Sequence, residues 1–259
     1  MVKKGNLEKI KLETTGIITS DNFSDFIALP RHRIVSELIA KHSEKNTAIL
    51  DVGCGNSCDQ LRYLKHLGYT NISGLDFNID RFFDGITLIE ADLEHGLHLE
   101  NVYDIVIFAD VLEHLRYPRF VIKEILPYVK DDGLIIISVP NAGHFYNGLL
   151  LTFLPRHLNM SSAFGPWGHY YQFTFYGLQK LFKLFDLAIV EYKTSDKEFR
   201  FLSMHPLKRI AMWLLNAIPI ALNVGFMRKY FSDHLYFVVK KQNDTYKHIS
   251  DKDIFEANI

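Results

Sequence analysis

The sequence predicts an α/β domain: a seven-stranded, mostly parallel sheet with helices on both faces and a helical lid or insertion near its end. Three observations carry that expectation. Short apolar runs alternate with amphipathic helical patterns through the first half of the chain. The first strand-like run ends in a glycine turn, Gly53-Cys54-Gly55, which leads straight into a helical pattern. The composition, 48% hydrophobic and 23% charged over 259 residues, suits a chain that buries a sizeable core.

Residues 1–29 carry weak patterning and read as an N-terminal extension to a domain spanning 30–241. Pro30 opens a helix with Ile34, Val35, Leu38 and Ile39 on one face. Residues 48–52 form the first buried strand. A helix over 58–67 follows, with Leu61, Leu64 and Leu67 inward and Gly68 as its terminator. The runs 72–75, 86–89 and 105–108 are the next three strands. Pro118 leads into a helix over 120–129, the turn Asp131-Asp132-Gly133 follows, and 134–139 is the fifth strand. The stretch 141–173 is long, aromatic and rich in turn residues, so it reads as a lid. Thr174 caps a helix that turns Leu178, Leu181, Phe182 and Phe185 to one side. Runs 187–192 and 234–240 close the sheet, with an insertion over 195–233 between them and a tail over 242–259.

Charge and cysteine usage narrow the function. Twenty-nine basic and thirty acidic side chains leave a net charge of −1, which argues against a broad nucleic-acid surface. Cys54 and Cys58 are the only cysteines, so no disulfide framework exists. With no apolar signal core at the N-terminus, the expected location is the cytoplasm. The uncharged stretch 210–227, flanked by Lys208, Arg209, Arg228 and Lys229, qualifies that picture. Asn216, Pro219, Asn223 and Gly225 inside it speak against a lipid-exposed span. Two readings stand: short core or lid helices broken at Pro219, or a peripheral membrane or lipid-substrate contact through 208–229.

The strongest chemical signal is Asp51-Val52-Gly53-Cys54-Gly55. Glycines without Cβ atoms let the chain turn sharply and a ligand approach closely. Asp76 ends the next strand about 20 residues later, the spacing at which an acid accepts hydrogen bonds from ribose hydroxyls. Asp92 follows the third strand, where it can receive an adenine amino group. Each aspartate alone reads as a cap or loop acid; in this order, behind a glycine turn, they read as a cofactor site.

This pattern closely resembles the class I S-adenosylmethionine-dependent methyltransferases, over about residues 30–240. The resemblance implies a Rossmann-like sheet and S-adenosyl-L-methionine as cofactor. It assigns Asp51, Gly53, Cys54 and Gly55 to the methionine end, Asp76 to the ribose, and Asp92 to the adenine. Phe77, Leu93 and Asp110 complete the implied cofactor-binding set. Ser57 stands where many members have a third glycine. Cys54 is expected to be a small packing residue, not a nucleophile, because the sequence places no base beside it.

A second constellation faces the reaction. In Asp110-Val111-Leu112-Glu113-His114, positions 110, 113 and 114 share one face if the segment is a first helical turn. A distant histidine, His169, precedes Thr174. The arrangement D-x-x-E-H followed by H-x-x-x-F-T resembles two methyltransferase groups, the ubiquinone-pathway O-methyltransferases and the small-RNA 2′-O-methyltransferases. In both, E-x-x-E-H and a distant histidine go with a divalent metal. The resemblance therefore implies a metal site (magnesium, manganese or zinc) at Asp110, Glu113, His114 and His169, with aspartate replacing the first glutamate. Metal-free general-base catalysis by His114 or His169, and simple bracing of the lid, are the other two readings. Asn141 and His144 are placed either on the acceptor pocket or in a turn. Phe145, Tyr146, Phe164, Trp167 and Tyr170 either line that pocket or pack in the core. The expected activity is O-methylation of a small molecule with a sugar-linked, isoprenoid or lipid-linked acceptor. The rivals are an RNA ribose 2′-O-methyltransferase and a non-catalytic cofactor-binding scaffold.

Overall fold

The computed structural model describes residues 30–143, 168–194, 232 and 234–242. The N-terminal extension, most of the lid with His144, Phe145, Tyr146, Phe164 and Trp167, the apolar insertion except Ser232, and the tail beyond Gln242 lie outside the described residues. So does the basic-flanked stretch 208–229. Among the described residues no helix is long and apolar enough to cross a membrane.

The elements run α1 (Pro30–His42), β1 (Ile49–Val52), α2 (Asp59–His66), β2 (Ile72–Asp76), β3 (Thr87–Glu90) and β4 (Tyr103–Ala109). A short 3-10 turn (Leu112–His114), α3 (Pro118–Ile125), a second 3-10 turn (Leu126–Tyr128), β5 (Val129–Pro140), α4 (Phe175–Leu184), β6 (Leu187–Thr194) and β7 (His234–Lys241) follow. The seven strands form one mixed sheet in the order β3-β2-β1-β4-β5-β7-β6. β1 pairs in parallel with β2 and β4, β2 pairs in parallel with β3, and β6 and β7 are antiparallel. The strand order reverses between β1 and β4, the place where open α/β sheets bind ligands at their carboxyl ends.

Packing divides the described residues into two compact units, 30–109 with 120–136, and 110–119 with 137–143, 168–194, 232 and 234–242. In the first, every residue of β1 and β2 is buried. Helix α1 packs on α2 and β4 through Val35, Leu38 and Ile39, and α2 packs on β2 through Leu61 and Leu64. Gly74 inside β2 is required by a close approach. A Cβ there would meet Leu61 Cδ1 at 2.6 Å and Cys54 Sγ at 2.8 Å, so only glycine lets the turn after β1 and helix α2 settle against β2. In the second unit, Thr174 Oγ1 accepts a hydrogen bond from Gly177 N at 3.1 Å and caps α4. Helix α4 turns Leu178, Leu181 and Phe182 inward, and Phe182 meets Phe237 of β7 edge-on at 5.2 Å.

Three local expectations are corrected. Leu67 does not face inward: it closes α2 and is 36% exposed, and Gly68 at φ +91° ends the helix. The α-helix from Pro118 stops at Ile125, because Pro127 has no N–H to donate and its ring obstructs a further α turn. Asp131-Asp132-Gly133 is not a turn, since β5 begins at Val129 and runs through it. Lys130 Nζ reaches Asp104 Oδ1 at 2.7 Å, and a Cβ at Gly133 would lie 3.1 Å from Asp104 O. The small residue thus lets β5 come close to the start of β4.

Candidate active site

The glycine turn is held from below by β2. Gly53 N and Cys54 N both donate to Leu75 O, at 2.7 and 3.2 Å, and Gly55 N donates to Asp76 Oδ2 at 2.8 Å. Gly53 and Gly55 take φ values of +71° and +65°, the left-handed region that side chains disfavour. Among the described residues a Cβ at Gly55 would meet no atom within 4 Å, so the turn forms an open cradle. Asp76, only 9% exposed, ends β2 beneath this cradle and also accepts from Asn78 N through Oδ1. Asn56 Oδ1 takes the N–H of Asp80, which ties the turn to the loop after β2.

Asp51 is buried at 2% exposure one residue before the end of β1. Burial pushes its carboxyl up to about 7, the Arg31 guanidinium pulls it down, and the charge of Asp76 adds to the rise. Arg31, in the first turn of α1, is a residue that sequence reasoning missed. Its only signal is a cation beside the helix-opening Pro30, which is too common to read. Cys54 and Cys58 are buried and free, with Cys58 Sγ 3.8 Å from Cys54 Sγ and 3.3 Å from Gly55 O. The Cys58 thiol and burial together push the Cys54 thiol well above the ordinary cysteine range. Cys58 takes φ +48° at the mouth of α2, a conformation that favours glycine.

Asp92 lies beyond β3 and is engaged locally. Its Oδ1 accepts from Glu94 N at 2.9 Å and its Oδ2 faces His95 Nδ1 at 2.7 Å. Leu93 is nearly buried and Phe77 is 65% exposed.

In the second unit, Glu113, His114 and His169 come together. One ligand atom from each lies within 4.8 Å of the others, and the two imidazole rings meet edge-on at 4.6 Å. Backbone bonds fasten this convergence: Tyr170 N and Tyr171 N both donate to Glu113 O, at 2.7 and 3.2 Å, and His114 Nδ1 lies 3.2 Å from Gly168 O. Glu113 is 1% exposed. A carboxylate and two imidazoles are a donor set that suits a divalent metal or a general base.

Asp110 does not join them. The expected helical turn does not begin there: Asp110 has φ +58°, and the turn that follows is a short 3-10 segment starting at Leu112. Its backbone N–H goes to Ser138 O at 3.0 Å and its Oδ1 accepts from Ser138 Oγ at 2.7 Å. Its carboxylate is thereby turned toward β5, and the spacing that would have put 110, 113 and 114 on one helical face does not apply. Asn141 takes the turn role, with Oδ1 accepting from Gly143 N and Nδ2 donating to Ser232 O. Tyr170 is half exposed, with Arg116 6.0 Å from its ring, and lines no core.

A protein-family profile described as "Methyltransferase domain" matches residues 26–192, from α1 through most of β6. The chain belongs to the class I S-adenosylmethionine-dependent methyltransferases. It is similar to the ubiquinone biosynthesis O-methyltransferase of Rickettsia canadensis (strain McKiel), with 28% identity over 167 residues, 57% of this chain and 70% of that protein. Among solved structures, the methyltransferase fold is shared with the 1,6-didemethyltoxoflavin-N1-methyltransferase of Burkholderia thailandensis. That match has a TM-score of 0.52 and 15% identity over 83% of this chain and 79% of that one. Coclaurine N-methyltransferase, bound to N-methylheliamine and S-adenosylhomocysteine, matches with a TM-score of 0.54 and 13% identity, over 81% of this chain and 70% of that one. The acidic strand ends and glycine cradle of this methyltransferase fit the cofactor its family uses.

Proposed function

We propose that this methyltransferase transfers a methyl group to an oxygen of a small molecule, with a sugar-linked, isoprenoid or lipid-linked acceptor. The observation that carries the proposal is the convergence of Glu113, His114 and His169, since oxygen acceptors need a proton removed at neutral pH. The name of the Rickettsia relative, an O-methyltransferase, supports the same reading. When bound, S-adenosylmethionine supplies an electrophilic methyl group on a sulfonium. Asp51 and the turn Gly53-Cys54-Gly55 would hold its methionine end with the help of Arg31, Asp76 its ribose, and Phe77, Asp92 and Leu93 its adenine. Glu113, His114 and His169 would either take the acceptor proton through an imidazole nitrogen or hold a magnesium, manganese or zinc ion that acidifies the hydroxyl. Asp110 leaves that donor set. The test is mass spectrometry of a cell metabolite extract incubated with enzyme and isotopically labelled cofactor. A small molecule gaining one labelled methyl on oxygen is the expected result. Label found only on nitrogen, RNA or protein overturns it.

The buried Asp51 makes cofactor binding depend on pH. Its carboxyl holds a proton below about 7 and is ionised above. A sulfonium and an ammonium placed nearby favour the ionised form, so binding lowers its pKa and releases a proton. Affinity is therefore expected to rise between about pH 6 and 8, and Asp51→Asn to flatten that rise. The cofactor's own amino group titrates at the upper end of this range, so the quantity to compare is the difference between the two proteins in calorimetric titrations. Equal slopes discard the Asp51 role.

A further inference from the structure

A second histidine–carboxylate pair lies in the same unit, apart from the donors described above. His234, the first residue of β7, places Nε2 3.5 Å from Asp110 Oδ2. Asp110 is the first residue after β4, and Ser138, its partner through Oδ1, lies two residues from the end of β5. All three are at strand ends, the edge at which open α/β sheets receive ligands. The conformation of Asp110 is also unusual. A non-glycine residue at φ +58° is uncommon, and here it turns the carboxylate between the Ser138 hydroxyl and the His234 ring. Ser138 is fully buried and donates to the carboxylate, so it orients Asp110 and is no nucleophile. His234 retains 30% side-chain exposure, and its ring lies nearly parallel to that of the buried Tyr236, 6.3 Å away.

We propose that His234, oriented by Asp110, is an acceptor-binding residue whose Nδ1 receives a hydrogen bond from an O–H or N–H of the acceptor. The carboxylate 3.5 Å from Nε2 favours a proton on that nitrogen by its charge, which leaves Nδ1 with its lone pair. Among the described residues Nδ1 makes no hydrogen bond. The site thus selects an acceptor that carries a hydrogen-bond donor besides the atom that is methylated. What His234 meets rests on the small-molecule reading; the state of its ring does not.

Two measurements on the full chain test it. Long-range proton–nitrogen NMR spectra, recorded where the imidazole is neutral, should show His234 as the Nε2–H tautomer. In Asp110→Asn the Ser138 hydroxyl keeps the amide oxygen on its own side, so the NH2 group faces Nε2 and the ring should switch to Nδ1–H. A wild-type Nδ1–H tautomer, or no switch in the variant, overturns the proposal. The second measurement follows S-adenosylhomocysteine formation against dilutions of a small-molecule cell extract at saturating S-adenosylmethionine. His234→Ala should raise the half-saturating extract concentration about tenfold while leaving the maximal rate within about twofold. His234→Asn, which keeps an acceptor near the Nδ1 position, should recover most of that loss. An unchanged half-saturation, or a fall in maximal rate alone, overturns the proposal. If the wild-type enzyme methylates nothing in the extract, the small-molecule reading fails, and the tautomer result still judges the pair.

Discussion

Asp76→Ala is expected to weaken S-adenosylmethionine binding by about 10- to 150-fold, about 1.5–3 kcal/mol, in a protein that still folds. Two contributions add here. The carboxylate would accept hydrogen bonds from the ribose, and its Oδ2 already fastens the glycine turn through Gly55 N at 2.8 Å. Asp76→Asn separates them. An asparagine oxygen can take the Gly55 N–H and restore the turn, but it lacks the charge and the second acceptor oxygen. Its affinity should fall between those of wild type and alanine. Calorimetry on the three proteins, each checked for a cooperative melt, decides the matter. Full recovery in the asparagine variant assigns the whole effect to the turn. Unchanged affinity in the alanine variant removes Asp76 from the cofactor site.

Substitutions in the Glu113–His114–His169 group should act on the rate. Glu113→Gln, His114→Ala and His169→Ala are each expected to lower kcat by about 10²- to 10⁴-fold, with cofactor affinity little changed. The three ligand atoms lie within 4.8 Å of one another, so they act as a unit and the losses will not add. A His114→Ala, His169→Ala double variant should be scarcely slower than the worse single one. Chelation splits the two chemical readings. If EDTA abolishes turnover and magnesium, manganese or zinc restores it, the group holds a metal. If EDTA changes nothing while the histidine variants are slow, an imidazole is the base. Active histidine variants would leave the group with only the bracing role that its backbone bonds to Tyr170 and Tyr171 already give it.

Much of the fold was legible because its signals are local. Proline at the start of α1 and α3, Thr174 as a cap and Gly68 as a terminator each act within a few residues of themselves. The same holds for the cofactor cradle. A buried strand running into Gly53-Cys54-Gly55, with Asp76 at the end of the next strand, places the acid under the turn once parallel pairing is assumed. The register then does it: Asp51 pairs with Gly74 and Val52 with Leu75.

The misses share a cause, which is that through-space partners overruled a local rule. The spacing predicts a helical turn from Asp110, but its N–H is taken by Ser138 O, 28 residues on, and its oxygen by the Ser138 hydroxyl. The turn predicted at Asp131-Asp132-Gly133 yields to a strand that comes close to the start of β4 at Gly133. The purpose of Gly74 inside β2 appears only when Leu61 and Cys54 are seen against it.

By itself, then, the sequence determined the order of the elements, the glycine turn and the carboxylates at the ends of the first three strands. These depend on backbone preferences and on an apolar period that each segment carries within itself. The tertiary structure alone decided that Asp110 faces His234 and Ser138, and that His169 reaches His114, with Gly168, 54 positions beyond His114, at its Nδ1. A side chain's partner is chosen by which backbone groups and buried surfaces are brought together after the sheet has formed. No spacing along the chain encodes that choice.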